Sequence, residues 1–152
     1  METRIYTKER EILITIISII VLSGLYAWYV YNRYIVANPE LLNDFHFWGK
    51  AFILMIPVMI VALIFIFIVF AIINKIITNE DISTMTDEMD HLIELKSLRI
   101  SRWVYSGCFV LAMGSQAIRM EPWVMFVLLI ASGFLGGIAE GIAKIYYYRK
   151  GV

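Results

Sequence analysis

The residue with the most distinctive chemistry is Glu140, an acid inside the last long apolar run of the chain. A carboxylate within a membrane-spanning segment typically binds a proton or a cation. Lys144 follows one helical turn later, in the order that favours an ion pair between the two side chains. If Trp123 marks one membrane interface, Glu140 lies about 25 Å along the helix, near the far edge of a ~30 Å hydrocarbon slab. The pattern therefore favours a near-interface ion pair over a proton- or cation-coupling site.

The same segment is rich in glycine, at Gly133, Gly136, Gly137 and Gly141. Glycine lets two helices approach closely in lipid, where no hydrophobic force drives them together. The spacing Gly137-x-x-x-Gly141 is a common form of this motif. We expect these glycines to pack the last helix against the helix before it. The alternative is contact between two copies of the chain in a homodimer.

A group of acids, Asp87, Glu88, Asp90 and Glu94, precedes the third apolar run. Glu88 and His91 are three residues apart, and pairs of this kind hold metal ions in di-iron bundles. Those bundles need two such pairs and two further carboxylates, whereas this segment has one pair, so no metal site is predicted. We interpret the acids as an exposed helix face that docks a cytosolic protein partner.

The composition places these residues in a small membrane protein. Hydrophobic residues make up 61% of the 152 residues and charged residues 17%, which is typical of chains that cross a bilayer several times. The apolar runs predict four spans in a single membrane domain, at about 12–31, 47–73, 102–119 and 122–145. Residues 74–101 form a polar loop and a helix that continues into the third span. The predicted fold is an all-α four-helix bundle with a cytoplasmic helical extension of its third helix.

The positions of the charges predict the orientation in the membrane. Most of the 13 lysines and arginines lie before the first apolar run, within 74–101, or at the end of the chain. Because positive residues favour the cytoplasmic side, both termini and the 74–101 segment are predicted to be cytoplasmic. The net formal charge is zero, so a basic surface for nucleic acid is not expected.

Motifs typical of enzymes are not found in the sequence. It contains no G-x-S-x-G, no phosphate-binding glycine loop and no cluster of cysteines and histidines. Its serines, threonines and two histidines are not arranged as a nucleophile with its base. We therefore predict no catalytic residue, no metal and no cofactor.

The segment D-E-M-D-H-L-I-E-L-K-S-L-R, residues 87–99, resembles one found in a family of small predicted four-span membrane proteins of prokaryotes. In that family a D-E-R-D-x-x-I-E-x-K-like segment stands before the third span, and Met89 replaces its arginine here. The closing Y-Y-Y-R-K-G-V is similar to the family's aromatic and basic ending. The family is a domain of unknown function, with members that tend to be encoded beside helix-turn-helix regulators. The resemblance implies a regulatory protein of the prokaryotic plasma membrane.

Two functions follow from these features. The first is a non-catalytic regulatory or scaffolding protein that binds a cytosolic partner through its cytoplasmic helix. The alternative is a small homodimeric transporter or channel in which Glu140 binds a proton or a cation. We favour the first, because the essential acid of such transporters usually lies nearer the middle of the membrane than Glu140 is expected to lie.

Overall fold

The computed structural model describes residues 2–78 and 88–151, with side chains for residues 8–76 and 88–151. Within these residues the chain is helical and contains no strand, which confirms the predicted all-α class. The four long helices, numbered in chain order, are α1 (Glu2–Val30), α2 (Phe45–Thr78), α3 (Glu88–Ala117) and α4 (Pro122–Lys150). A π-helix, Tyr31–Ile35, extends α1, and a 3-10 helix, Pro39–Asn43, leads into α2.

Three segments are long and apolar enough to cross a bilayer, namely Lys8–Ile35, Phe45–Ile76 and Pro122–Lys150. The second is the most apolar of the three, and many of its large side chains are exposed, for example Phe65 at 67%. Apolar side chains that point outward on all sides of a helix suit contact with lipid. The structure therefore agrees with a multi-pass membrane protein. α3, which contains most of the predicted span 102–119, does not reach the hydropathy of the other three helices.

α4 lies at the centre of the molecule and contacts each of the other three long helices. Its most extensive contact is with α3, which runs antiparallel to it. Asp90 near the start of α3 meets Tyr148 near the end of α4, and Ser101 lies opposite Gly136. The first part of α3 was predicted to project from the membrane as an extension. This part packs against the carboxy-terminal half of α4.

α3 meets α4 through small side chains. Its buried residues form two groups, Asp90, Ile93 and Ser97 near its start and Ala112 and Ser115 near its end, and within each group they lie three or four positions apart. Small residues allow two helices to approach closely in lipid. The buried hydroxyl groups are satisfied within their own helix: Ser97 Oγ donates to the Ile93 carbonyl over 2.7 Å, and Ser115 Oγ to the Ala112 carbonyl over 2.7 Å. The stripe therefore combines close packing with satisfied polar groups.

A tight turn joins α3 to α4. Arg119 adopts a left-handed conformation, with φ of 60°. Its N–H donates to the Gln116 carbonyl over 3.0 Å, and the Met120 N–H donates to the Ser115 carbonyl over 2.9 Å. These two bonds form a Schellman motif, which caps the last carbonyl groups of a helix. The turn fixes the two helices as antiparallel neighbours.

α2 contacts the other helices close to its amino-terminal end. Tyr26 of α1 donates its hydroxyl to the Ala51 carbonyl over 2.6 Å. The Trp48 ring stacks on Phe126 of α4, with centroids 5.9 Å apart and planes 5° from parallel. Trp48 Nε1 also donates to the Leu42 carbonyl over 2.8 Å, which ties the 3-10 helix to α2. Aromatic contacts therefore hold the three most apolar helices together at this end.

Candidate functional site

Glu140 forms an ion pair within α4. Its Oε1 lies 2.6 Å from Lys144 Nζ, and both side chains are partly exposed. This is the pairing that the spacing of the two residues favours. A carboxylate matched to a lysine has its charge balanced locally. The geometry is therefore that of a local ion pair, and the described residues show no second carboxylate paired with Lys144.

The glycines of α4 face in different directions. A Cβ added at Gly136 would lie 3.2 Å from Ser101 Oγ of α3. At Gly137 it would lie 3.4 Å from Ile19 of α1, and at Gly141 only 2.7 Å from two side-chain atoms of Ile16. At Gly133 it would meet nothing within 4 Å. The predicted contact with the preceding helix thus applies to Gly136, whereas the Gly137-x-x-x-Gly141 pair packs against α1.

The acids before the third apolar run do not share one surface. Glu88 and Glu94 are exposed on α3, as is His91. Asp90 is only 7% exposed and faces α1 and α4, so it does not belong to the docking surface that the sequence predicted. Asp87 lies outside the described residues. The reason for the difference is helical geometry, because Asp90 shares the buried stripe with Ile93 and Ser97.

Asp90 instead belongs to a group of polar residues that we call the terminal cluster, formed by Lys8, Glu9, Asp90, Tyr148 and Arg149. The Tyr148 hydroxyl donates to Asp90 Oδ1 over 2.9 Å, and Lys8 Nζ lies 3.8 Å from Asp90 Oδ2. Arg149 donates from Nε to Glu9 Oε1 over 2.9 Å and from Nη2 to Glu9 Oε2 over 3.2 Å. The cluster joins the start of α1, the start of α3 and the end of α4.

The terminal cluster was not predicted from the sequence. Two of its members in contact, Glu9 and Arg149, are 140 positions apart along the chain, so no local pattern connects them. One signal was available: Asp90, Ile93 and Ser97 follow the three-four spacing of a buried helix stripe, and an acid in such a stripe needs a partner. The cluster places the start of α1 and the end of α4 at the same end of the molecule.

The side of α3 that points away from α4 carries both apolar and charged side chains. We call it the outward face of α3, formed by Glu88, Leu92, Leu95, Arg99 and Arg102, all of them exposed. These residues recur every three or four positions and lie opposite the buried stripe. Leu92 is 52% exposed and Leu95 is 64% exposed. The face thus presents two leucines between an acid and two arginines.

The described residues contain no group of three or more His, Cys, Asp or Glu side chains placed to hold a metal ion. The chain matches no protein-family model, no curated protein and no solved structure. The resemblance of residues 87–99 to a prokaryotic membrane family therefore stays a prediction.

Proposed function

We propose that this chain is a non-catalytic, four-span protein of the prokaryotic plasma membrane, which regulates or scaffolds a partner protein bound to the outward face of α3. The observation that carries the proposal is the composition of this face. Exposed leucines stand on one helical stripe with arginines and an acid, whereas the exposed residues of α2 between positions 52 and 73 are all apolar.

Neither lipid nor water alone suits such a face. Charged side chains are costly in hydrocarbon, so Glu88, Arg99 and Arg102 favour a position of this face at the membrane edge rather than in the lipid core. Adjacent exposed leucines are a poor surface for water, although single exposed leucines are common. Protein interfaces combine buried apolar groups with charged residues at the rim, and arginine is enriched in them. A protein surface therefore matches this face best.

The packing of α3 supports its assignment as a membrane span, in addition to the three more apolar helices. If the hydrocarbon slab begins at Pro122, Gly136 lies about 21 Å into it along α4. A slab ~30 Å thick then ends about six residues after Gly136. Because Ser101 lies opposite Gly136, the part of α3 after this level runs beside the membrane-spanning part of α4. Residues 88–95 then lie beyond the slab with the terminal cluster. Arg99 and Arg102 lie just inside its edge, from which their long side chains reach the headgroups.

The orientation follows from the shared position of the termini and from the distribution of charge. The contact between Glu9 and Arg149 brings the start of α1 and the end of α4 together. Most lysines and arginines outside the spans lie at this end, which favours the cytoplasmic side. In this proposed orientation the outward face of α3 lies at the cytoplasmic edge of the membrane, within reach of a cytosolic partner.

The experiment compares two truncations in the same helix. Leu95 and Leu111 are both 64% exposed, and only Leu95 lies on the outward face. Tagged protein is extracted from native membranes in mild detergent, and the size of its complex is measured on native gels. We expect Leu95→Ala to weaken the complex about tenfold, which corresponds to ~1.4 kcal/mol of binding energy. Leu111→Ala should leave it intact; equal behaviour of the two variants would contradict the proposal.

The second candidate function is the homodimeric transporter or channel that uses Glu140. The partial exposure of Glu140 favours the transporter function, because the transported or coupled ion must be able to reach the carboxylate. The ion pair with Lys144 argues against the transporter function, since the Glu140 carboxylate already has a cation beside it. Proton-driven uptake into proteoliposomes that is lost in Glu140→Gln, while the variant remains folded, would replace the regulatory proposal with this one.

A further inference from the structure

A cavity of about 600 Å³ lies between α1, α2 and α4. It sits beneath the π-helix and the 3-10 helix, which contribute Tyr31, Ile35 and Leu42 to its wall. Its volume falls within the range of small-molecule binding sites. The space exists partly because small residues line it, namely Gly24, Ala27 and Ala131. A Cβ added at Gly24 would meet nothing within 4 Å, so the helix leaves room at this position.

The cavity offers little to water. Its lining is apolar apart from five side chains, and three of them donate to protein carbonyls: Ser23 to Ile20, Tyr26 to Ala51 and Trp48 to Leu42. The other two, Tyr31 and Trp123, lie at the aromatic end. Cavities lined by apolar groups stay dry and bind apolar guests; one of about 150 Å³ holds benzene. A cavity of this size therefore suits an apolar occupant.

The dimensions indicate which occupant fits. The lining residues on α4 run from Trp123 to Phe134. This distance is about 16 Å along a helix, close to half of a ~30 Å hydrocarbon slab. Trp123 and Tyr31 lie at the end where aromatic residues meet lipid headgroups. The cavity thus extends from the interface to the middle of the membrane, which is the depth of one leaflet.

We propose that this cavity binds one acyl chain of a membrane phospholipid from the leaflet on the Trp123 side. Three of its walls are helices apolar enough to cross a bilayer, so acyl chains are the apolar groups most abundant around it. An acyl chain would fill the space between the diverging helices and stabilise the contact of α2 with α1 and α4. The headgroup would remain at the aromatic end, beside Trp123.

The test uses Trp48, which lines the cavity and is only 7% exposed. Trp28, Trp103 and Trp123 are replaced by phenylalanine, and the protein is reconstituted in phosphatidylcholine vesicles with brominated or ordinary acyl chains. Bromine quenches tryptophan on contact, so an acyl chain in the cavity should lower Trp48 fluorescence about twofold. Fluorescence that is equal in the two kinds of vesicle would overturn the proposal.

Cavity-filling variants separate this site from lipid at the outer surface. Gly24→Leu and Ala131→Phe each place a large side chain in the cavity, and each should restore most of the Trp48 fluorescence in brominated vesicles. Gly107→Leu on α3 is the matched control, because Gly107 also has open space around it and lies outside the cavity. Circular dichroism identifies the filled variants that remain folded. If the folded Gly24→Leu and Ala131→Phe variants are quenched as strongly as the parent, the proposal fails. It also fails if quenching arises only when the protein is diluted in lipid, because a second copy of the chain would then fill the cavity at higher protein density.

Discussion

Tyr148, in the last turns of α4, donates a 2.9 Å hydrogen bond to Oδ1 of Asp90, near the start of α3. Asp90 is buried, so the phenol and the nearby Lys8 replace water around a carboxylate. A buried acid that loses a donor is left with unsatisfied oxygen, which destabilises the folded state. This contact joins the beginning of the α3–α4 hairpin to its end.

We expect Tyr148→Phe to lower the free energy of unfolding by about 1–3 kcal/mol, since it removes a hydrogen bond to a buried charged group. The measurement is unfolding in mixed detergent micelles. Tyr146→Phe is the control, because Tyr146 lies two residues away and is exposed. If the two variants are equally stable, the Asp90–Tyr148 bond contributes nothing and the buried position of Asp90 needs another explanation.

The contact of α4 with α1 is predicted to depend on Gly141. A methyl group there would overlap the Ile16 side chain, with atoms 2.7 Å apart. Gly141→Ala should therefore lower the free energy of unfolding by about 1–3 kcal/mol. Gly133→Ala, where the space is open, should raise it by up to about 1 kcal/mol through helix propensity.

A double-mutant cycle tests whether the overlap is the cause. Ile16→Ala removes the atoms that the new methyl group would meet. The double variant Gly141→Ala, Ile16→Ala should then be more stable than the sum of the single effects predicts, because the two sites are in contact. Strict additivity would show that Gly141 matters for a reason other than its approach to α1.

Glu140 is predicted to contribute little to stability. Its ion pair with Lys144 is partly exposed and lies within one helix, and such pairs contribute about 0.3–1 kcal/mol. Glu140→Gln should therefore change the free energy of unfolding by less than about 1 kcal/mol. A loss of several kcal/mol would mean that Glu140 has a buried partner, which an intrahelical pair does not provide.

The four-span arrangement predicts which residues are reached from outside the cell. In a Cys108→Ser background, cysteine at Glu121 in the α3–α4 turn should react with a membrane-impermeant maleimide in intact cells. Cysteine at Lys150 should react only after the cells are permeabilised, since the end of α4 is placed in the cytoplasm. Labelling of Lys150→Cys in intact cells would reverse the orientation. Protection of both positions would mean that α4 does not cross the membrane.

The helices and their order were predictable from the sequence because they depend on long apolar runs and on a short connection between α3 and α4. The continuity of α3 was predictable as well, since no proline or glycine separates residues 88–101 from the apolar run that follows. Membrane helices keep their backbone hydrogen bonds internal, so each run specifies its own element. Local sequence was sufficient for this level of the structure.

The partners of individual side chains were not predictable in the same way. Gly136 and Gly137 are adjacent in the chain, yet a helix turns by about 100° per residue and they face α3 and α1. Asp90 was grouped with the other acids by composition, whereas its position in the stripe decides its burial. The cavity is lined by residues of α1, α2 and α4 together, and no single segment encodes the space between three helices.

The central claim is that a protein covers the outward face of α3, and photo-cross-linking in native membranes tests it most directly. A photoreactive amino acid is placed at Leu95 and, as the control, at Leu111. We predict a discrete protein adduct from position 95 and lipid adducts alone from position 111, with the mass of the adduct distinguishing a partner from a second copy of this chain. Lipid adducts alone from both positions would contradict the claim.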